Sequence, residues 1–257
     1  MVFYFNLRYN IMNNQYVIIG LSSFSKNILD EIIALELDIE ILIIDKDETD
    51  INLYKDKVTD AIIANITDER IIQQLVPVDV SCVIIDLGSN RESSILISSY
   101  LKKMGVKRVI VKAETDTHGE ILKIAGVDEV IHPDKEAARR LVPTLVSSRL
   151  FQYMPIGKGL VFAELKTPEE FYGKTLLDID LRRNKDLNLI AVRKSELNSE
   201  YMQINIKYLF NEYDLILLAG NEKAIFDIAY GEETKMQLIN KAKIYDAFKK
   251  LFNYKNK

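Results

Sequence analysis

Only one cysteine, Cys82, stands among the 257 residues, so no disulfide can close within the chain. That suits a reducing compartment, and the expected location is the cytoplasm. Cys82 lies in the apolar run SCVII, where a buried, inert thiol is expected rather than a nucleophile. Net positive charge is also missing. The formal charge is −4, which leaves no basic field to hold nucleic acid. No apolar run reaches the roughly 18–20 residues of a membrane helix. The opening stretch MVFYFNLRYNIMNNQ is broken by Asn and Arg and carries no small-residue cleavage pattern. Residues 1–15 therefore read as a ragged leader rather than a signal peptide. The two histidines, His118 and His132, form no familiar metal-ligand spacing with each other or with Cys82. No GxSxG, HExxH or GxxxxGK[ST] motif occurs.

The chain is 48% hydrophobic and 28% charged, the balance of a globular protein with a sizeable core. Short runs rich in Val and Ile recur: YVIIG, IEILIID, AIIAN, CVIIDLG, KRVIVKA and DEVIH. They are continuous rather than alternating, as expected of strands buried on both faces of a parallel sheet. Helical segments lie between them. In the first, Phe24, Ile28 and Ile32 fall four apart on one face. Strand and helix in alternation predict an α/β, doubly wound, Rossmann-like sheet.

After Asp134 the pattern changes. DKEAARRLVPTLVSSRLFQYM reads as a long helical stretch, with a break or kink expected at Pro143. PIGKG reads as a linker. Beyond it, LVFAELKT, the helix KTLLDIDLRR, LNLIAVRK, a weaker run MQINIKYL, and YDLILLAG form a small α+β unit. The expected organisation is a leader over 1–15, a Rossmann-like domain with its crossover helix over 16–153 and a linker over 154–159. A small C-terminal domain over 160–231 and a lysine-rich helical tail over 232–257 complete it.

The first strand runs into GLSSFS. A dinucleotide loop uses three glycines: for a tight turn, for close approach to the pyrophosphate, and for close helix–strand packing. Here Gly20 fills the first place, and Ser22 and Ser25 fill the other two. A phosphate would also sit on the positive end of the helix beginning near Ser23. Asp45 ends the second strand, 25 residues after Gly20. An acid there bonds the ribose hydroxyls of an adenosine. The alternative for Asp45 is a helix cap or a solvated turn acid. Asp134, after VIHP, reads either as a cation ligand or as the N-cap of DKEAARRL.

The order of these motifs resembles the RCK family (regulator of conductance of potassium), in particular the cytosolic TrkA- and KtrA-type subunits of bacterial potassium uptake systems. The resemblance spans residues 15–230. It rests on VIIGLSSFSKNI, LIIDKDE, AIIANITDE, RVIVKAETDTHGEILKIAGVDEVIHPD and YGKTLLDIDLRRNKDLNLIAVRK, in that order. It implies a Rossmann-like domain that binds ATP, ADP or NAD, followed by a small RCK C-terminal domain. It further implies a homodimer, and from dimers an octameric ring beneath a multi-span membrane potassium-channel subunit. Such a protein is not an enzyme and is held peripherally on the inner face of the cell membrane. Carried over by position, the adenine nucleotide would meet Gly20, Ser22, Ser23, Phe24, Asp45, Lys46, Asn65 and Gly88. Lys112 would point toward the phosphates. Asp134 would face a cation at the nucleotide. Leu176, Leu177 and Arg182 match positions that accompany cyclic di-AMP in some members, whereas Arg182 taken alone reads as a charge that suits a helix end.

Three departures stand out: serines at 22 and 25, Ser23 where many KtrA-like members have a phosphate-binding arginine, and Asp86 where the pattern is small and apolar. Loss of that arginine forfeits roughly 1.5–3 kcal/mol. The nucleotide is therefore expected to bind weakly, at about tens of micromolar or above. Two other functions fit a Rossmann-like domain: an NAD(P)-dependent oxidoreductase, for which the residues after Leu150 leave little room, and a free-standing nucleotide-sensing adaptor.

Overall fold

In the computed structural model the described residues are 14–157, 159–194 and 200–230. The tail at 232–257 and all of the leader except residues 14 and 15 lie outside them. The chain divides between Asp134 and Lys135 into two compact units.

The first unit alternates strand and helix throughout. Its elements are β1 (Gln15–Ile19), α1 (Ser23–Ala34), β2 (Glu40–Asp45), α2 (Glu48–Tyr54), β3 (Asp60–Ile63) and α3 (Glu69–Leu75). They continue with β4 (Cys82–Ile85), α4 (Arg91–Met104), β5 (Val109–Lys112), α5 (Asp116–Ile124) and β6 (Glu129–Ile131). The strands form one sheet in the order β3-β2-β1-β4-β5-β6, and every pairing is parallel. This is the order of a dinucleotide fold, whose ligand crevice opens where the winding reverses, here between β1 and β4.

The continuous apolar runs are explained by burial on two faces. Val17, Ile19, Leu42, Ile44, Val83 and Ile85 pack with Ile72, Ile97, Leu101 and Leu122. Their sequence neighbours Ile18, Ile41, Ile43, Cys82 and Ile84 turn the other way and pack with Leu29, Ile51 and Tyr54. The predicted stripe on α1 is offset by one residue. Its fully buried positions are Ser25 and Leu29, with Ile28 and Ile32 flanking them. α2 carries no sequence-level prediction. It forms where the Asp47 side chain caps Thr49 N and Ile51 and Tyr54 face inward.

The second unit holds α6 (Pro133–Val146, nearly all of it past the division), β7 (Leu150–Gly157), β8 (Leu160–Lys166), α7 (Leu176–Ile179), α8 (Leu181–Lys185), β9 (Leu187–Arg193), β10 (Leu215–Asn221) and α9 (Glu222–Tyr230). Its sheet is antiparallel, in the order β7-β8-β10-β9. A small α+β unit is thus present, but its details differ from the sequence reading. α6 runs through Pro143 and ends at Val146, and LFQYM is strand rather than helix. Of the residues placed in a linker at 154–159, 154–157 finish β7 and Gly159 is a turn residue just before β8. The single helix expected at KTLLDIDLRR is two. Asp180 takes a left-handed conformation, φ 44°, that ends α7 and starts α8. MQINIKYL makes isolated bridges at Met202 and Leu209 and no strand.

Each unit leaves apolar side chains exposed on a helix, α5 in the first and α6 in the second. Ile124 is 86% exposed and Leu145 70%, and Ile121, Leu141 and Val146 are exposed beside them in their own helices.

Candidate functional site

A cleft of about 450 Å³ opens at the β1/β4 switch point, within the usual range for small-molecule sites. Gly20, Ser22, Asp45, Lys46, Asn65 and Gly88 all line it. Six residues expected from separate strand ends therefore meet in one place. Ser23 and Phe24 follow on the first turn of α1. Lys112 lies at the end of β5 and joins the site through Asp86.

Gly20 is required by geometry. Its φ is +86°, and a Cβ there would stand 2.2 Å from the Asp86 carbonyl oxygen, so no side chain fits without moving the β4 backbone. Ser25, in the third glycine's place, is fully buried. Its hydroxyl donates to the Gly20 carbonyl at 2.6 Å, so helix and strand still approach closely.

Asp45 reaches back to the loop. Its Oδ2 accepts from Leu21 N at 2.5 Å and its Oδ1 from Asp47 N at 2.8 Å. The cap of α2 is Asp47, so Asp45 is not the helix cap. It tethers the glycine loop, and each carboxylate oxygen keeps acceptor capacity for a ribose hydroxyl. The hydrogen bond to Thr49 N, first of all, holds the Asp47 carboxyl below its ordinary value. Lys26 pairs with Asp50 at 2.6 Å on the same rim.

Sequence reasoning marked Asp86 only as a departure, not as a site residue. In the structure it is the most connected group in the cleft. It is 1% exposed. Its Oδ2 accepts from the Ser22 hydroxyl and, at 3.1 Å, from Ser25 N; its Oδ1 accepts from Gly88 N at 3.2 Å. Ser22, the N-cap residue of α1, makes no side-chain cap of its own, so Asp86 supplies from β4 the carboxylate that a local cap normally provides. Lys112 Nζ stands 3.6 Å from Asp86 Oδ1 and 3.1 Å from Glu114. Burial works against the Lys112 charge, but Glu114 and Asp86 outweigh it and hold the ammonium above its ordinary value. The amides of Ser22, Ser23 and Phe24 have no acceptor among the described residues. These are the groups a phosphate could take.

The remaining sequence candidates lie elsewhere. Asp134 is exposed in the first turn of α6, one residue inside the helix rather than at its cap. Among the described residues no group of three His, Cys, Asp or Glu could hold a metal ion. An exposed carboxylate by itself supplies only part of a cation's oxygen shell. Leu176 is partly buried against the second core, while Leu177 is 69% exposed and Arg182 is exposed on α8. Cys82 is buried, and that burial pushes its thiol up to about 11, as expected of an inert cysteine. A groove of about 660 Å³ in the second unit is lined by none of the predicted residues. Among the described residues no helix is long and apolar enough to cross a membrane.

Comparison with known proteins places these features among relatives. The TrkA-N domain model matches residues 16–133. Ktr system potassium uptake protein C of Bacillus subtilis (strain 168) is 30% identical over 185 residues, covering 72% of this chain and 83% of that protein. Ktr system potassium uptake protein A of the same organism is 26% identical over 215 residues, 84% of this chain and 95% of that protein. Among solved structures, the GsuK channel bound to NAD superposes with a TM-score of 0.60 at 17% identity, over 88% of this chain and 42% of the channel chain. The GsuK RCK domain gives a TM-score of 0.58 at 16% identity, over 86% of this chain and 48% of that one. The likeness to both is one of fold, and this chain spans less than half of their length.

Proposed function

This chain belongs to the family of Ktr potassium uptake proteins, with a TrkA-N domain over residues 16–133, and from that membership we propose that it is the cytosolic, nucleotide-responsive gating subunit of a potassium uptake system. The observation that carries the ligand half of this reading is the cleft at the β1/β4 switch point. Gly20, Ser22 and Asp45 line it, and the free first-turn amides of α1 follow Ser22 in the chain; this arrangement supports phosphate and ribose binding. The ligand is an adenine nucleotide, ATP, ADP or NAD, held weakly because serines replace two glycines and the expected phosphate-binding arginine is absent. The role is regulatory rather than catalytic.

Surface chemistry supports an assembly of copies. Apolar side chains exposed on α5 and on α6 are covered when copies pair, and dimers close into a ring, of eight in this reading, on a multi-span membrane partner. A nucleotide that binds one ring shape more tightly shifts the population toward it, and so changes conductance. Arg182 with exposed Leu177 forms the corresponding candidate for a cyclic di-AMP contact in the second unit. Calorimetry with cyclic di-AMP tests that contact.

The function is tested in cells that lack their own potassium uptake. A multi-span potassium-transporting subunit from the same genome, expressed with this chain, restores growth at low potassium; the membrane subunit alone restores it poorly. Equal growth with and without the chain would overturn the proposal.

A further inference from the structure

We propose that Asp86 is a charge-selecting residue of the nucleotide cleft: an internal carboxylate beside the phosphate seat that makes the site prefer adenosine ligands of low phosphate charge. The inference rests on the nucleotide reading above and adds to it which nucleotides are admitted.

Three observations carry it. Asp86 occupies donors beside the phosphate seat and leaves the Ser22, Ser23 and Phe24 amides open. It accepts from the Ser22 hydroxyl, from Ser25 N in the first turn of α1, and from Gly88 N on the facing loop. A buried anion at a helix N-terminus satisfies the same partial charges that a phosphate would. Second, Asp86 engages Lys112 at the end of β5. Lys112 is divided between Asp86 and Glu114, so a ligand phosphate gains little from it unless that pairing is broken. Third, Asp86 is 1% exposed, so its charge is poorly screened from anything bound next to it. The amides left over, at Ser22, Ser23 and Phe24, can still receive one phosphate oxygen or two. Each further negative charge then meets the same carboxylate. Ribose recognition by Asp45 lies at the end of the neighbouring strand and is indifferent to phosphate count.

The order expected from this arrangement is adenosine and AMP at least as tight as ADP, ADP tighter than ATP, and NAD tighter than ATP. Asp86→Asn keeps the shape and an acceptor for Ser25 N but removes the charge and releases Lys112. In that variant the order inverts, with ATP bound tenfold or more tighter than in the wild type and adenosine changed by less than threefold.

The test is calorimetric titration of the full-length protein with adenosine, AMP, ADP, ATP and NAD, for the wild type, Asp86→Asn and Glu114→Gln, with thermal melting of each. The wild-type order alone decides the matter if Asp86→Asn does not fold. Glu114→Gln frees Lys112 from its other partner and leaves Asp86 in place, so its gain for ATP is smaller. A wild type that prefers ATP to adenosine by tenfold overturns the proposal and leaves the nucleotide reading intact, as does ATP affinity unchanged in Asp86→Asn. An equal gain in Glu114→Gln overturns the assignment to Asp86. Absence of binding by every ligand to both wild type and Asp86→Asn overturns the nucleotide reading and the proposal together.

Discussion

Asp86 in the first unit and Glu164 in the second are both carboxylates withdrawn almost completely from water, yet they are held in opposite ways. Glu164 lies in β8 and meets Arg193 of β9 through two bonds, at 2.8 and 2.9 Å, with the Tyr201 hydroxyl added at 2.8 Å. A planar guanidinium matched to both oxygens is a closed arrangement, in which one partner supplies the counter-charge and a donor to each oxygen. Asp86 has no such partner. It is held by two amides and a hydroxyl, and its counter-charge stands at 3.6 Å and is shared. Glu164 fastens a sheet. Asp86 lines the crevice where a dinucleotide fold binds its ligand. Burial alone does not separate a structural charge from a functional one; the identity of the partners does.

The largest effect expected is on the closed pair. Glu164→Ala removes one half of a buried ion pair, at a cost of about 3–5 kcal/mol. Urea unfolding followed by circular dichroism reads it as a large drop in midpoint. If Glu164→Ala and Asp86→Ala lose the same stability, the contrast drawn here is wrong.

Gly20→Ala comes next. A positive φ at a non-glycine residue costs about 1–3 kcal/mol, before the contact with the Asp86 carbonyl is counted. Nucleotide binding is lost with it, because the loop that carries the first-turn amides must move. Thermal melting with and without ligand separates the two losses.

Asp45→Ala strips the proposed ribose acceptor. Charged hydrogen bonds contribute about 1.5–3 kcal/mol, so nucleotide affinity falls by roughly 10–100-fold, while unfolding shifts less than in Glu164→Ala. Calorimetry that finds unaltered affinity would mean that Asp45 only tethers Leu21 N.

The smallest effect belongs to the second unit. Thr175 and Asp178 form a reciprocal cap at the start of α7, and Thr175→Ala costs about 1 kcal/mol, read as a modest fall in the melting temperature with nucleotide affinity unchanged.

The six parallel strands were legible in the sequence because burial on both faces forces continuous Val and Ile, as in Val17, Ile18 and Ile19. The elements that escaped had weaker local signals. α2 lies in the charged stretch DKDETDINLYKD and buries only Ile51 and Tyr54. β7 reads as a continuation of α6 because LFQYM carries no breaker; what makes it strand is pairing with β8, a tertiary event. MQINIKYL alternates like a strand but pairs only through isolated bridges. Gly20 and Asp45 could be found by spacing, since a strand end fixes both. The role of Asp86 could not, because its partner Ser25 N lies 61 residues away in the chain. The sequence showed only that a charge stood where an apolar residue belonged, and the fold shows what that charge binds.

On the proposed function, occupancy of the switch-point cleft controls potassium movement. Potassium flux through vesicles that contain the membrane subunit with this chain bound, titrated with adenine nucleotide, measures that control. Flux is expected to change along the nucleotide-binding curve, and Asp45→Ala to move the midpoint to at least tenfold higher concentration without altering the flux of the empty complex. Flux that is the same at every nucleotide concentration, or a midpoint untouched by Asp45→Ala, would contradict it.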